Sequence, residues 1–198
     1  IKSLFLRNKA INKECSFFPI LLYRNAKISI DSSAKIYVSF GSLSINAFRR
    51  KLEPFPSFFE MMKNSHLEVN GNFTIYPGAH VIISENAKLI LGGGYINRHF
   101  KLRCFDRVTI GKDVAISENV TIWDSDVHEI QRENSKNTAP VTIGDHVWIG
   151  TNVIILKGVV IGDNSVIAAG SVVTRSIPSN CLAAGNPAKV IKQNISWK

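Results

Sequence analysis

The chain has 198 residues and a 45% hydrophobic content, which suits a single domain with a buried core and excludes a disordered or fibrous chain. Its net charge of +9 asks for an anionic partner or a strongly solvated surface, but no nucleic-acid motif and no regularly spaced aromatic platform accompanies it, so nucleic acid is set aside. The odd cysteine count (Cys15, Cys104, Cys181) includes no metal-type pair and speaks for a reduced, cytoplasmic setting.

Residues 1–24 are basic and then apolar, and read as an irregular cap over an open sheet edge. No signal peptide is visible, and the run from Phe17 to Tyr23 is too short to cross a bilayer. A peripheral membrane-surface contact through Arg7, Lys9, Lys13 and Phe17-Phe18 is the alternative to packing on the first coil. From Asn25 to Asn46 apolar and polar residues alternate, as in strands with one buried face. Residues 47–66 break this pattern with Arg49-Arg50-Lys51, two prolines and several aromatics, and read as an excursion whose aromatics pack on the side of the fold. Alternation returns at Leu67-Glu68-Val69, Phe73-Thr74-Ile75, Val81-Ile82-Ile83 and Leu89-Ile90-Leu91. Turn signals separate these, ending in Gly92-Gly93-Gly94.

A six-residue period then takes over. Ile110, Ile116 and Ile122 keep it, and so do Ile143, Ile149, Ile155, Ile161, Ile167 and Val173. Three places after each stands Asp113, Asn119, Ser125, His146, Asn152, Gly158, Asn164, Gly170 or Ser176, and most of these types tolerate a left-handed backbone. One buried aliphatic per short strand followed by a corner is the signature of a hexapeptide parallel β-helix. With three flat sides per coil, Ile110, Ile143 and Ile161 stack on one side. Ile116, Ile149 and Ile167 share the second, and Ile122, Ile155 and Val173 the third. An excursion over 126–140 leaves at a corner and carries His128. The β-helix thus spans 25–176, and 177–198 form a short tail in which Val190-Ile191 suggest a helix.

Several motifs from Gly92 to Lys192 carry a family resemblance: Trp-Asp-Ser-Asp-Val-His at 123–128, Ile-Gly-Asp-His-Val-Trp-Ile-Gly at 143–150, Val-Ile-Ala-Ala-Gly-Ser-Val-Val-Thr-Arg at 166–175 and Ala-Ala-Gly-Asn-Pro-Ala-Lys-Val-Ile at 183–191. The chain resembles the hexapeptide-repeat acyltransferases, in the maltose, galactoside and xenobiotic acetyltransferase branch. The resemblance implies an all-β, left-handed parallel β-helix, although parallel crossovers are normally right-handed. It also implies acetyl-CoA as co-substrate and a homotrimer with sites between subunits.

His128 lies outside the repeat register, so the core does not need it, and it matches the family's Asp-x-His segment. An imidazole suits the removal of a proton from an acceptor hydroxyl near neutral pH. Asp126 and Asp124 are near enough in sequence to orient or charge-stabilise that imidazole, with a turn-stabilising role as the alternative. The resemblance places Asn97 at the acceptor, where a side-chain amide can both donate to and accept from a sugar hydroxyl. Arg98-His99-Phe100 departs from the family there. Trp148 and Trp123 precede or follow inward residues and should point outward; the resemblance implies a place for Trp148 beside the pantetheine arm and for Trp123, with Asp124, near the acceptor. Carried over position by position, Gly150, Thr151, Ala169, Gly170, Thr174, Arg175, Lys189 and Lys192 contact CoA. Arg175 stands for the family's Lys, and Lys189 and Lys192 for its frequent Arg. No metal is expected: the histidine constellation of a β-helical carbonic anhydrase is missing.

The function these readings imply is acetyl-CoA-dependent O-acetylation of a sugar or glycan hydroxyl, in surface polysaccharide biosynthesis. Amino-sugar N-acetylation, xenobiotic acetylation and a non-catalytic scaffold are the alternatives.

Overall fold

The computed structural model describes residues 2–3, 20–47, 54–128 and 136–198, with only the backbone of 2–3. Arg7, Lys9, Lys13 and Phe17-Phe18, named above for the alternative of a membrane-surface contact, the Arg49-Arg50-Lys51 run and the middle of the loop after His128 lie outside the described residues.

Every regular element described is a strand, and nearly all pair in parallel. The chain visits three faces in turn. The first face holds ten strands, including Leu43–Ile45, Phe73–Ile75, Gly94–Ile96, Val114–Ile116, Trp148–Ile149, Val166–Ile167 and Cys181–Gly185. The second holds seven: Ala26–Ile30, Ser57–Met61, His80–Ile83, Lys101–Cys104, Thr121–Trp123, Ile154–Ile155 and Val172–Val173. The third holds six: Lys35–Phe40, His66–Asn70, Lys88–Leu91, Arg107–Ile110, Val141–Ile143 and Val160–Ile161. The result is a triangular prism, a left-handed parallel β-helix.

The inward columns match the six-residue register. Ile110 pairs with Ile143 and Ile143 with Ile161. Ile116, Ile149 and Ile167 form the second column, and Ile122, Ile155 and Val173 the third. Each of these side chains is buried. Burying such an aliphatic is worth roughly 1.5–3 kcal/mol, so the column is the main source of cohesion. The corners turn where expected: Asp113, Asn119, His146, Asn152, Gly158, Asn164 and Gly170 all have φ between 51° and 74°. Ser125 and Ser176 do not. Ser176 instead accepts the Val160 N–H through Oγ at 3.0 Å.

Two segments differ from expectation. Ser57–Met61 is not part of an excursion but a full rung, paired between Ala26–Ile30 and His80–Ile83 with Phe59 and Met61 inward. The tail holds no helix: Ala188–Gln193 is a strand that folds back antiparallel on Cys181–Gly185. The unsatisfied edge of the last coil is a better partner for Val190 than solvent, and pairing overrides local preference.

Candidate active site

The candidate residues gather at the two corners that flank the second face. At the corner between the first and second faces stand Asn97, Gly150, Thr151, Ala169 and Gly170, with Trp148 just before it on the first face. At the corner between the second and third faces stand Asp124, Asp126, His128, Thr174 and Arg175, with Trp123 just before it. Within the chain His128 and Asn97 therefore occupy different edges of the prism.

The loop bearing His128 closes on a tight base. Ser125 bridges Thr138 in antiparallel fashion, Asp126 N–H donates to the Asn137 carbonyl at 2.9 Å, and Ala139 N–H donates to the Asp124 carbonyl at 2.9 Å. Between Asp126 and His128 the backbone makes a γ-turn: His128 N–H donates to the Asp126 carbonyl at 2.7 Å, and Val127 has φ 65°. A β-branched residue in that region is strained and persists only where its surroundings over-determine it. Ser125 Oγ supplies one restraint by accepting the Val127 N–H at 2.9 Å. The turn presents His128 exposed, and no described residue engages its ring nitrogens.

Neither nearby carboxylate bonds the imidazole among the described residues, and Asp124 takes a backbone-bonding role of the kind given as the alternative. Asp124 is wholly buried, with Oδ1 accepting the Phe105 N–H at 2.7 Å and Oδ2 the Asp106 N–H at 2.8 Å. Burial pushes its carboxyl up, against the opposing pull of these N–H groups. So placed, it cannot reach an acceptor; it ties the loop base to the preceding coil, which corrects its assignment as a substrate contact. Asp126 turns to Lys157, with Oδ2 2.5 Å from Nζ, rather than to the imidazole. Lys157 also donates to the Lys136 carbonyl at 2.6 Å. The sequence reading passed over Lys157 because it precedes the corner Gly158 and carries no motif.

At the other corner, Asn97 Oδ1 accepts the Arg98 N–H at 2.9 Å, which leaves its amide NH₂ for a ligand. Trp148 is 43% exposed, and its Nε1–H donates to Ser117 Oγ at 3.3 Å. Trp123 is also outward, in register with Arg103. The glycines divide. A Cβ on Gly150 would lie 2.6 Å from the Ala169 backbone nitrogen, so that glycine serves coil-to-coil packing. A Cβ on Gly170 would meet nothing within 4 Å, so there the surface is open to a ligand arm. Thr151, Ala169, Thr174, Arg175, Lys189 and Lys192 are accessible, the two lysines on the returning tail strand. The first-face edge also holds a cluster absent from the sequence reading. His146 stacks on Trp197 at 4.1 Å, and Trp197 lies 6.0 Å from Trp148.

Comparison with known proteins agrees with this geometry. Residues 140–175 match the family model described as bacterial transferase hexapeptide (six repeats). Galactoside O-acetyltransferase of Escherichia coli (strain K12) is 38% identical over 67% of this chain and 66% of its own length. WcaF of the same organism, a candidate colanic acid biosynthesis acetyltransferase, is 31% identical over 65% of this chain and 70% of its own. The chain thus spans just under two thirds of the galactoside enzyme. Among solved structures, the polySia-specific acetyltransferase NeuO superposes with a TM-score of 0.72 at 28% identity, over 90% of this chain and 82% of its own. A galactoside acetyltransferase in complex with coenzyme A gives a TM-score of 0.50 at 35% identity, over 79% and 66%. With hexad columns, corner residues and loop placed as they are, and relatives matched along most of their length, the chain belongs to the hexapeptide-repeat acetyltransferase family.

Proposed function

We propose that this protein transfers an acetyl group from acetyl-CoA to a sugar hydroxyl, acting in the cytoplasm on a surface glycan or its precursor, with His128 as general base. The observation that carries the reading is the presentation of His128: an exposed imidazole on a strained turn, outside the repeat register, above a loop base held by a buried carboxylate. In the reaction, Nε2 or Nδ1 takes the hydroxyl proton while the oxygen attacks the thioester carbonyl. As the tetrahedral centre collapses, the C–S bond breaks and the imidazolium returns its proton to the departing sulfur, so no covalent enzyme intermediate is needed. Asn97 would hold the acceptor, while Trp148 and the open surface at Gly170 would line the pantetheine arm. Exposed Thr174, Arg175, Lys189 and Lys192 would meet the anionic nucleotide end.

The separation of His128 from Asn97 supports a trimer in which one protomer's loop meets its neighbour's Asn97 corner. Both corners flank the second face, so three second faces would line the axis. That face exposes Phe58, Trp123 and Ile154, each 37–40% accessible, with Leu156 at its edge. Outward apolar residues so grouped mark an association surface.

The test is His128→Ala. Turnover should fall by roughly 10²–10⁴, the usual worth of base catalysis, while acetyl-CoA affinity by calorimetry stays the same. Unchanged turnover removes the mechanism, and absence of saturable acetyl-CoA binding by the wild type would leave only a scaffold. A mass-spectrometric transfer screen across nucleotide sugars and acidic glycans identifies the acceptor.

A further inference from the structure

We infer that Lys157 is a positioning residue for the His128 imidazole, an inference that rests on the reading of His128 as the base. Lys157 sits one coil beyond the loop, in the turn Leu156-Lys157-Gly158 at the same corner. Its ammonium contacts the Asp126 carboxylate at 2.5 Å and the Lys136 carbonyl at 2.6 Å. Asp126 belongs to the leg that leaves the prism and Lys136 to the leg that returns. One cation therefore ties both legs of the loop to the rigid coil beneath it. An ammonium with three donors can serve two acceptors at once.

The restraint passes to His128 through two residues. Asp126 lends its carboxylate to Lys157, its N–H to Asn137 and its carbonyl to the His128 N–H. Val127 between them holds φ 65°, a conformation a β-branched residue leaves once its neighbours are free to move. Without the ammonium the Asp126 leg loses its tether to the coil, the turn at Val127 relaxes, and the imidazole swings from its place. The bland alternative is an ordinary exposed ion pair, worth roughly 0–1 kcal/mol and indifferent to catalysis. One fact opposes it: the second partner of Lys157 is a backbone carbonyl on the opposite leg, so the ammonium joins the two legs rather than pairing with a single carboxylate.

The experiment is a set of variants of the full chain: Lys157→Met, Lys157→Arg, Asp126→Asn, the Met/Asn double variant and His128→Ala. Thiol release from acetyl-CoA is followed with the screened acceptor and with water. Lys157→Met should lose about tenfold or more in kcat, as small misplacements of catalytic groups do, with KM for acetyl-CoA and the melting temperature unchanged. Lys157→Arg should recover most of the loss. The double variant should be no worse than the poorer single variant, since both remove one interaction. Wild-type kcat in Lys157→Met, losses that multiply in the double variant, or a loss that tracks melting temperature would each overturn the assignment. His128→Ala keeps the two ideas apart. If it is active, the base reading fails; if it is inactive while Lys157→Met is fully active, only the positioning role fails.

Discussion

Ile154 and Ile155 are neighbours on one two-residue strand and offer a controlled contrast. Ile155 is 0% exposed and pairs with Ile122 and Val173, whereas Ile154 is 38% exposed and pairs with Thr121 and Val172. Ile155→Ala removes three carbons from a sealed column, about 2.4 kcal/mol at about 0.8 kcal/mol per methylene. The ladder hydrogen bonds hold the coils at a fixed spacing, so the hole cannot collapse, and the cavity raises the cost to roughly 3–4 kcal/mol. For a chain of this size that corresponds to a fall in melting temperature of roughly 6–16 °C. Ile154→Ala should cost an isolated protomer less than about 0.5 kcal/mol, because its side chain already faces solvent. If second faces pack together, the Ile154→Ala loss grows and its melting temperature depends on protein concentration. Circular dichroism melts at two concentrations read both effects. A melt of Ile155→Ala within about 2 °C of the wild type, or a larger loss from Ile154→Ala at every concentration, would refute the column argument.

The edge cluster at His146 gives a pH prediction. Its Nδ1 lies 2.7 Å from Asp113 Oδ2 and its Nε2 3.2 Å from the Trp197 carbonyl; both partners accept, so only the imidazolium satisfies them together. The Asp113 bond, then the Trp197 carbonyl, raise its pKa above the ordinary histidine value. A raised folded value means the hold on the C-terminal segment is complete below the unfolded pKa and is lost as pH rises through the folded one. The Trp197 indole N–H, which donates to the His146 carbonyl at 2.9 Å, should then exchange faster by NMR, and a His146→Gln variant should show no such pH step. An exchange rate that follows only intrinsic base catalysis in both proteins would dismiss the clamp. Gly94→Ala tests the rung before Asn97. The added methyl would lie 2.1 Å from the Val114 carbonyl oxygen, at φ 119°, so stability should fall by roughly 2–5 kcal/mol in a chemical-denaturation curve. An unchanged midpoint would mean that the coil spacing there is not fixed by Gly94.

Much of the prism was legible because a hexad fixes a side chain's direction by counting. Ile116, Ile149 and Ile167 needed no tertiary information to be stacked. Ser57–Met61 escaped because Phe58 points outward and Phe59 inward, and alternation is invisible where both faces are apolar. The tail strand escaped because Lys189-Val190-Ile191-Lys192 suits a helical turn or an edge strand, and only the open edge at Cys181–Gly185 decides between them. At the candidate site, motif position singled out His128, Asn97 and Trp148 but said nothing of their surroundings. The partners of Asp124 are backbone N–H groups 18 and 19 residues away, and Lys157 meets a carbonyl 21 residues away; no local pattern encodes either.

The rigidity that makes the prism readable also limits what a single chain can do. Asn97 and His128 stand at opposite edges of the second face, a strand length apart, on the order of 15 Å at about 3.3 Å per residue. Strands in every coil between them are laddered to their neighbours, so no hinge within the prism can bring the edges together. On the proposed reading, with His128 as base and Asn97 at the acceptor, the two edges become one site when a second copy supplies the missing edge. The outward Ile154 and Trp123 lie on the face that such a contact would cover. On this view the concentration dependence of Ile154→Ala and the kcat of Lys157→Met report two independent requirements. The first is that the edges of neighbouring copies meet, and the second is that the imidazole is held where they do.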